Sequence, residues 1–170
     1  MISSEDLPKM LGDKSSLDFR LSQVKDAHVA PLNNFVLKLR SELGPTAAIP
    51  YFDPWDGGVD AKILFLLEAP GPKAVNTGFV SRNNPDETAN NFYVMCREAG
   101  IPRKRSVVWN IVPWYIGDGK RIRAANAVDI NSSSQALEEV MGLLPELKVV
   151  VFLGKKHNLL VALLNPCGRS

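Results

Sequence analysis

Apolar residues concentrate in three short runs, at 63–67 (ILFLL), 106–112 (SVVWNIV) and 147–153 (LKVVVFL). Each run is bounded by polar or turn residues and none alternates strictly. That is the pattern of a strand buried on both faces of a parallel sheet. Between the runs the apolar spacing becomes helical. Leu32, Phe35, Val36, Leu39 and Leu43 share one face of a helix over 31–43, with Pro31 in its first turn and Gly44 at its end. Asn84-Pro85-Asp86-Glu87 reads as a helix start with Asn84 as N-cap, followed by an inner stripe of Ala89, Phe92, Met95, Cys96 and Ala99 up to Gly100. Leu137, Val140, Met141 and Leu144 mark a helix over 134–144, and a short apolar helix follows Gly154 over 156–164. Alternating strands and helices imply right-handed crossovers. The expectation is one α/β domain over residues 1–170, a three-layer α/β/α sandwich with a short parallel sheet.

The connections are uneven. Residues 1–16 are polar and expected to be loose. The stretch 45–58 carries Pro45, Pro50, Pro54 and the pair Gly57-Gly58, and loops of that length are functional or disordered. Tyr51, Phe52 and Trp55 argue for an ordered, packed loop.

Composition adds exclusions. A net charge of +2 is too small to argue for nucleic acid, so only clustering matters. Arg103-Lys104-Arg105, Lys120-Arg121-Arg123 and Lys155-Lys156 each adjoin an expected strand or turn, and together they would make a phosphate-facing rim. Taken singly, each reads as solvated surface charge. Two cysteines, Cys96 and Cys167, exclude a four-thiolate cluster, and Cys96 reads as a small core residue. No apolar run is long enough to span a membrane, and MISSEDLPKM lacks the character of a signal peptide, so a cytoplasmic location is expected.

Candidate chemistry gathers at one edge of the expected sheet. At Glu68 the first run stops, and Ala69-Pro70-Gly71-Pro72 turns the chain, since proline cannot donate to a ladder. In open α/β sheets ligands sit beyond the carboxyl ends of strands. The 68–72 turn is therefore a candidate site floor, against the plainer reading of strand punctuation. Asn110 interrupts a run that would otherwise be β-branched or aromatic. A buried amide either bonds the backbone or awaits a ligand. Its acceptor and two donors match the lactam edge of uracil, and a fixed amide rejects cytosine. Phe79 offers a ring on which a flat base stacks.

LEAPGP, GPKAVNTGFVSRNNPDETANNF, WNIVPW and LLPELKVVVFLGKKH resemble the uracil-DNA glycosylase superfamily over roughly residues 51–164. LEAPGP is similar to that superfamily's first motif in its Glu-Ala-Pro-Gly form. The resemblance implies a short parallel sheet between helices and hydrolysis of the N-glycosidic bond of uracil in DNA. It implies backbone contacts to uracil from Glu68 and Ala69, close approach at Gly71, stacking on Phe79 and base reading by Asn110. Glu68 and Asn84, with Asn83 as a further candidate, are the groups that could position water; Asn84 as an N-cap is the plainer role. With uracil-containing DNA as the implied partner, Lys73, Arg82, Lys120 and Arg121 are candidate phosphate contacts. No cofactor, metal or membrane is expected.

The sequence departs from the family pattern. Ala69 stands where the most active members carry a water-positioning aspartate, and the cysteines of the iron–sulfur branch are missing. A His-Pro-Ser motif on a further strand is expected beyond 164 and is not in the sequence. Neither His157, after the Gly154 turn, nor His28 has a strong claim to replace it. Two other readings stay open: a module that binds a base or single strand without cleaving it, and an inactive truncated homologue. Without a further strand, 147–153 is expected at an open sheet edge, where an apolar β-prone segment invites self-association. Light scattering on this chain and on a version extended by such a strand is the corresponding test.

Overall fold

The computed structural model describes residues 5–154. In chain order the helices are α1 (Lys14–Ser22), α2 (Ala30–Leu43), α3 (Pro72–Thr77), α4 (Glu87–Glu98) and α5 (Ala127–Gly142). The strands are β1 (Tyr51–Phe52), β2 (Ile63–Leu67), β3 (Phe79–Val80), β4 (Ser106–Asn110) and β5 (Val149–Phe152). The principal sheet has the order β4-β2-β5 and is parallel throughout, while β1 and β3 form a second, two-stranded parallel pair. The chain is thus an α/β protein in which the apolar 63–67 run takes the central place, paired on both edges.

Register assigns the faces. Leu64 pairs with Val107 and Leu66 with Trp109, so these four side chains share one face. There Trp109 stacks on Phe52 with ring centroids 3.8 Å apart and meets Phe35 of α2 edge-on at 6.4 Å. Helix α5 lies beside α2, and Lys38 bridges to Glu139. The opposite face carries Phe65, Val108 and Asn110, and Phe65 meets Phe92 of α4 at 4.9 Å in an edge-to-face contact. Helices therefore cover both faces, as an α/β/α sandwich requires.

Several expectations need correcting. Residues 5–16 are not loose. Leu11 is buried, its N–H donates to the Asn83 carbonyl, and Tyr93 donates its hydroxyl to the Asp6 carbonyl. The N-cap of α4 is Asp86, whose carboxylate accepts the Ala89 N–H, rather than Asn84. Helix α5 begins at Ala127, well before 134, because Asn126 and Asp129 form a reciprocal capping box. Its first turns bury Ile130 and Ser133, and the polar run Asn131-Ser132-Ser133-Ser134 hides that stripe in the sequence. The 156–164 helix, His157, Lys155, Lys156 and Cys167 lie outside the described residues. Among those residues, β5 has β2 as its one strand neighbour, and Val149 is exposed.

The 45–58 loop is ordered, for a reason beyond its aromatic residues. Asn33 accepts the Phe52 N–H and donates to the Val24 carbonyl, which fixes the loop to α2. The glycine pair permits close passage: a Cβ would lie 2.3 Å from the Lys104 carbonyl oxygen at Gly57 and 2.0 Å from that of His28 at Gly58. Beside it sits a buried ionic network. Arg20 Nη1 donates to both oxygens of Asp53 at 2.7 and 2.6 Å, and both side chains are fully buried. Arg103 donates to Asp53, Asp56 and Asp6 at 2.7, 2.8 and 2.6 Å. Burial raises the Asp53 carboxyl, but Arg103 and Arg20 outweigh it and hold the group below the ordinary carboxylate range. Asp56 moves the other way, pushed up by burial against the pull of Arg103 and Arg82.

Removing one partner of a buried ion pair strands the others, so Asp53→Asn should cost about 3–5 kcal/mol at neutral pH. The folded Asp53 pKa lies below its unfolded value of about 4. Its contribution is complete above that value and is lost as pH falls through the folded one. Denaturant midpoints should therefore differ widely between wild type and Asp53→Asn at pH 7, and converge in acid.

Candidate functional site

The in-register pairing of β2 with β4 sets Leu67 opposite Asn110 at the carboxyl ends of the two strands. Pairing continues briefly beyond, with the Ile111 N–H on the Leu67 carbonyl at 2.8 Å and the Val112 N–H on that of Glu68 at 3.0 Å. Pro70 and Pro72 then supply no N–H, so the chain leaves the sheet and enters α3. A cavity of about 470 Å³ opens between this turn, α4 and the 122–123 segment. It lies on the Phe65 face of the sheet and takes Val108, Asn110 and Phe92 into its wall.

Asn110 is 1% exposed, and neither its Oδ1 nor its Nδ2 has a hydrogen-bond partner among the described residues. A buried polar group left unpaired costs about 1–3 kcal/mol. An amide needs both an acceptor and donors to satisfy it, and the wall it occupies faces room for a small flat molecule.

The turn supplies the floor. Glu68, Ala69 and Gly71 all line the cavity. Glu68 is half-buried, and its Oε1 accepts the Ala125 N–H, tying the turn to the start of α5. Gly71 has φ −80° and ψ 172°, a conformation open to any residue, and a Cβ there would meet nothing within 4 Å. Neither backbone strain nor packing against the described residues requires a glycine at this position. Lys73 is exposed at the mouth.

Other expected residues lie elsewhere or are already engaged. Phe79 is fully buried beside Tyr51, with ring centroids 6.3 Å apart, and is not in the cavity lining. Phe92 is the aromatic residue on that wall. Asn84 does line the cavity, but its amide accepts from Thr77 Oγ1 at 2.7 Å and donates to the Phe79 carbonyl at 2.9 Å. Its role is to close the α3–β3 turn. Asn83 is held in the ionic network by Asp6, the Leu7 carbonyl and Arg103. Arg82 is no phosphate contact: it is 3% exposed, donates to Ser106 Oγ at 2.8 Å and lies over the Phe92 ring. Nor do the basic clusters form a single rim. Arg103-Lys104-Arg105 precedes β4 and so sits at the amino edge of the sheet, away from Asn110, with Arg103 in the buried network. His28 bonds the Pro54 carbonyl oxygen at 2.7 Å, outside the cavity. Lys120 and Arg121 are exposed on a hairpin whose next residues, Ile122 and Arg123, reach the cavity rim.

Not evident from the sequence are Asp86 as the cap of α4 and a cavity residue, and the hairpin that carries Lys120 and Arg121. Asp86 lines the cavity while capping α4, so the described lining holds two carboxylates, Glu68 and Asp86. Its signal was Asp three positions before Ala89 at a helix start, masked by the preceding Asn84-Pro85. The hairpin's signal was Asp118-Gly119, a favoured turn pair. No group of three or more His, Cys, Asp or Glu among the described residues is placed to hold a metal ion, and no described helix is long and apolar enough to cross a membrane. Neither a protein-family model nor a curated protein sequence matches the chain.

An amide with no partner among the described residues contributes nothing to folding that an apolar side chain of like size would not. Asn110→Leu should therefore raise stability by about 1–3 kcal/mol, the cost of the unpaired group. Thermal or denaturant melts against wild type measure this. A loss of similar size would show that the amide has internal partners.

Proposed function

We propose that this cavity receives a uracil turned out of DNA, and that the chain is a uracil-DNA glycosylase-like protein hydrolysing the N-glycosidic bond. The observation that supports this reading above the rest is the unpartnered Asn110 amide on the cavity wall. Its acceptor and donor complement the adjacent N–H and C=O of uracil, whereas cytosine presents the mismatched edge. Gly71 leaves room for the base to approach the turn, and Phe92 gives the wall an aromatic surface. A base cannot reach such a site from within the stack, so extrusion or a single strand is required.

The chemistry then asks for two things. Negative charge develops on the departing uracil, and donors aimed at it lower the barrier. Water must be held below the sugar as it becomes cationic. Glu68 and Asp86 each have one oxygen on a backbone N–H, and the second oxygen of either can orient water. The same caps favour a second reading, a base-binding module that does not cleave, because both carboxylates already serve structural ends.

An oligonucleotide with one uracil, assayed for alkali-labile abasic sites, separates the two. Scission supports the glycosylase; uracil-dependent binding without scission selects the module. In either case Asn110→Ala should cost about 1–3 kcal/mol of discrimination between uracil and cytosine, the worth of a good bidentate base contact. Loss of discrimination should exceed loss of non-specific affinity, since base contacts specify and phosphate contacts position. Gly71→Thr gives an independent check. Threonine is an accepted N-cap, so stability should change by less than about 0.5 kcal/mol. Uracil binding should nevertheless fall, because the substitution adds a side chain at a residue that lines the cavity.

A further inference from the structure

The buried ionic network is short of negative charge without its outermost member. Within the body of the protein, Arg20, Arg82 and Arg103 face the carboxylates of Asp53 and Asp56. The further carboxylate, Asp6, comes from the segment ahead of α1. Its side chain is 36% exposed, where those of Asp53 and Asp56 are at 0%. Buried guanidinium groups need counter-charge, so the place that Asp6 fills calls for an anion.

The donors around Asp6 are positioned by other partners. Arg103 is fixed through Nε on Asp56 at 2.8 Å and Nη2 on Asp53 at 2.7 Å, which leaves Nη1 aimed at Asp6 at 2.6 Å. Nη1 also donates to Asn83 Oδ1 at 2.6 Å. That contact orients Asn83 Nδ2, which donates to Asp6 Oδ1 at 2.8 Å and to the Leu7 carbonyl at 2.7 Å. From α4, Tyr93 donates its hydroxyl to the Asp6 carbonyl. One carboxylate and two successive main-chain carbonyls are therefore held by three side chains of the body. Charge-assisted bonds fix the carboxylate, the carbonyl contacts fix the direction of the chain, and donors set in advance lower the cost of binding.

The segment that fills this place is imperfectly suited to it. Lys9 turns the chain with φ 59°, the one non-glycine residue at positive φ among the described residues, and Leu7 stays exposed. Left-handed backbone is costly for a residue with a Cβ. A segment that presents the same carboxylate and carbonyls without that turn would bind more tightly. The corresponding segment of a second copy carries the same turn and has no advantage over the one in cis.

We propose that Arg103, Asn83 and Tyr93 form a receptor for an acidic peptide segment of another protein, and that residues 5–9 occupy it in cis as a displaceable stand-in. None of the three residues lines the cavity, so the receptor is independent of what the cavity binds.

The probe is a labelled peptide of residues 5–9, Glu-Asp-Leu-Pro-Lys, with blocked ends, titrated against the full chain by fluorescence anisotropy. A tethered competitor acts at an effective concentration on the order of millimolar, so Asp6→Ala should bind the probe about ten-fold more tightly than wild type. Asp6→Asn changes the segment less and should show the same gain, which keeps the comparison if Asp6→Ala fails to fold. Wild type should itself saturate at higher probe concentration. A probe with asparagine in place of its aspartate should bind about ten-fold more weakly, through loss of the charge-assisted bonds. In the Asp6→Asn chain, Tyr93→Phe should weaken the probe about five-fold, the worth of one neutral hydrogen bond. Equal affinity for wild type and variant, no saturation of any form, or indifference to the probe's charge would overturn the receptor. Indifference to Tyr93→Phe would place the probe elsewhere on the surface and overturn it equally. A doubled wild-type mass in sedimentation, abolished by Asp6→Asn, would identify a second copy as the occupant and overturn the assignment to another protein.

Discussion

The double pairing of β2 is the constraint on which the site depends. Ile63–Leu67 is bonded to β4 on one edge and β5 on the other, and its side chains are covered on both faces. A strand held on four sides cannot slip, because a one-residue shift would exchange its two faces. Register then fixes Asn110 opposite Leu67, at the point where β2 must end. The Glu-Ala-Pro-Gly-Pro segment turns the chain there, as two of its residues cannot donate to a ladder. The floor and the amide wall of the cavity are thus consequences of one pairing.

A second set of forces works beside the sheet. Asp53 and Asp56 bind Arg20 and Arg103, and through Asn83 and Asp6 they hold the N-terminal segment against the body of the protein. Ser81 connects the two regions: it lines the cavity and donates its hydroxyl to Asp53. Removing charges from water is costly, and the attraction between them offsets that only when geometry is good and remaining atoms are bonded. Here the offset is incomplete, with Asp56 Oδ2 and Arg20 Nε lacking partners among the described residues. The network contributes positional definition more than net stability.

The elements legible in the sequence were those with one dominant signal. Short apolar runs mark β2, β4 and β5, and a clean helical stripe ended by Gly44 marks α2. Where signals competed, the reading slipped. Asn84-Pro85 looked like a helix start, yet Asn84 is spent on Thr77 and Phe79, and the cap fell to Asp86. The start of α5 was concealed by serines that the helix buries or bonds back onto itself, as Ser133 and Ser134 do. The ionic network was invisible for a different reason. Arg20, Asp53, Asp56 and Arg103 are far apart in the chain, and nothing in composition tells a buried arginine from a solvated one. Arg82, placed on the DNA side from sequence, is buried by the same ambiguity. At the site, the turn and Asn110 were legible because each broke a local rule, and Phe79 was misplaced because its strand pairs with β1 and turns the ring toward Tyr51.

Two adjacent residues of β4 show what the broken rule at Asn110 means. Trp109 also buries a polar atom, Nε1, without a partner among the described residues. Its ring compensates through stacking on Phe52 and edge contact with Phe35, on the face packed by α2. A buried aromatic gains from large apolar area, and one unpaired N–H is small beside that gain. Asn110 has no such compensation. Its side chain is small and polar, both of its polar atoms lack partners among the described residues, and it stands on the other face, in the wall of the cavity. Folding alone would place valine or leucine in such a strand. An amide at this register position, with no partner among the described residues, lowers stability, and only the binding proposed for the cavity offers it a donor and an acceptor.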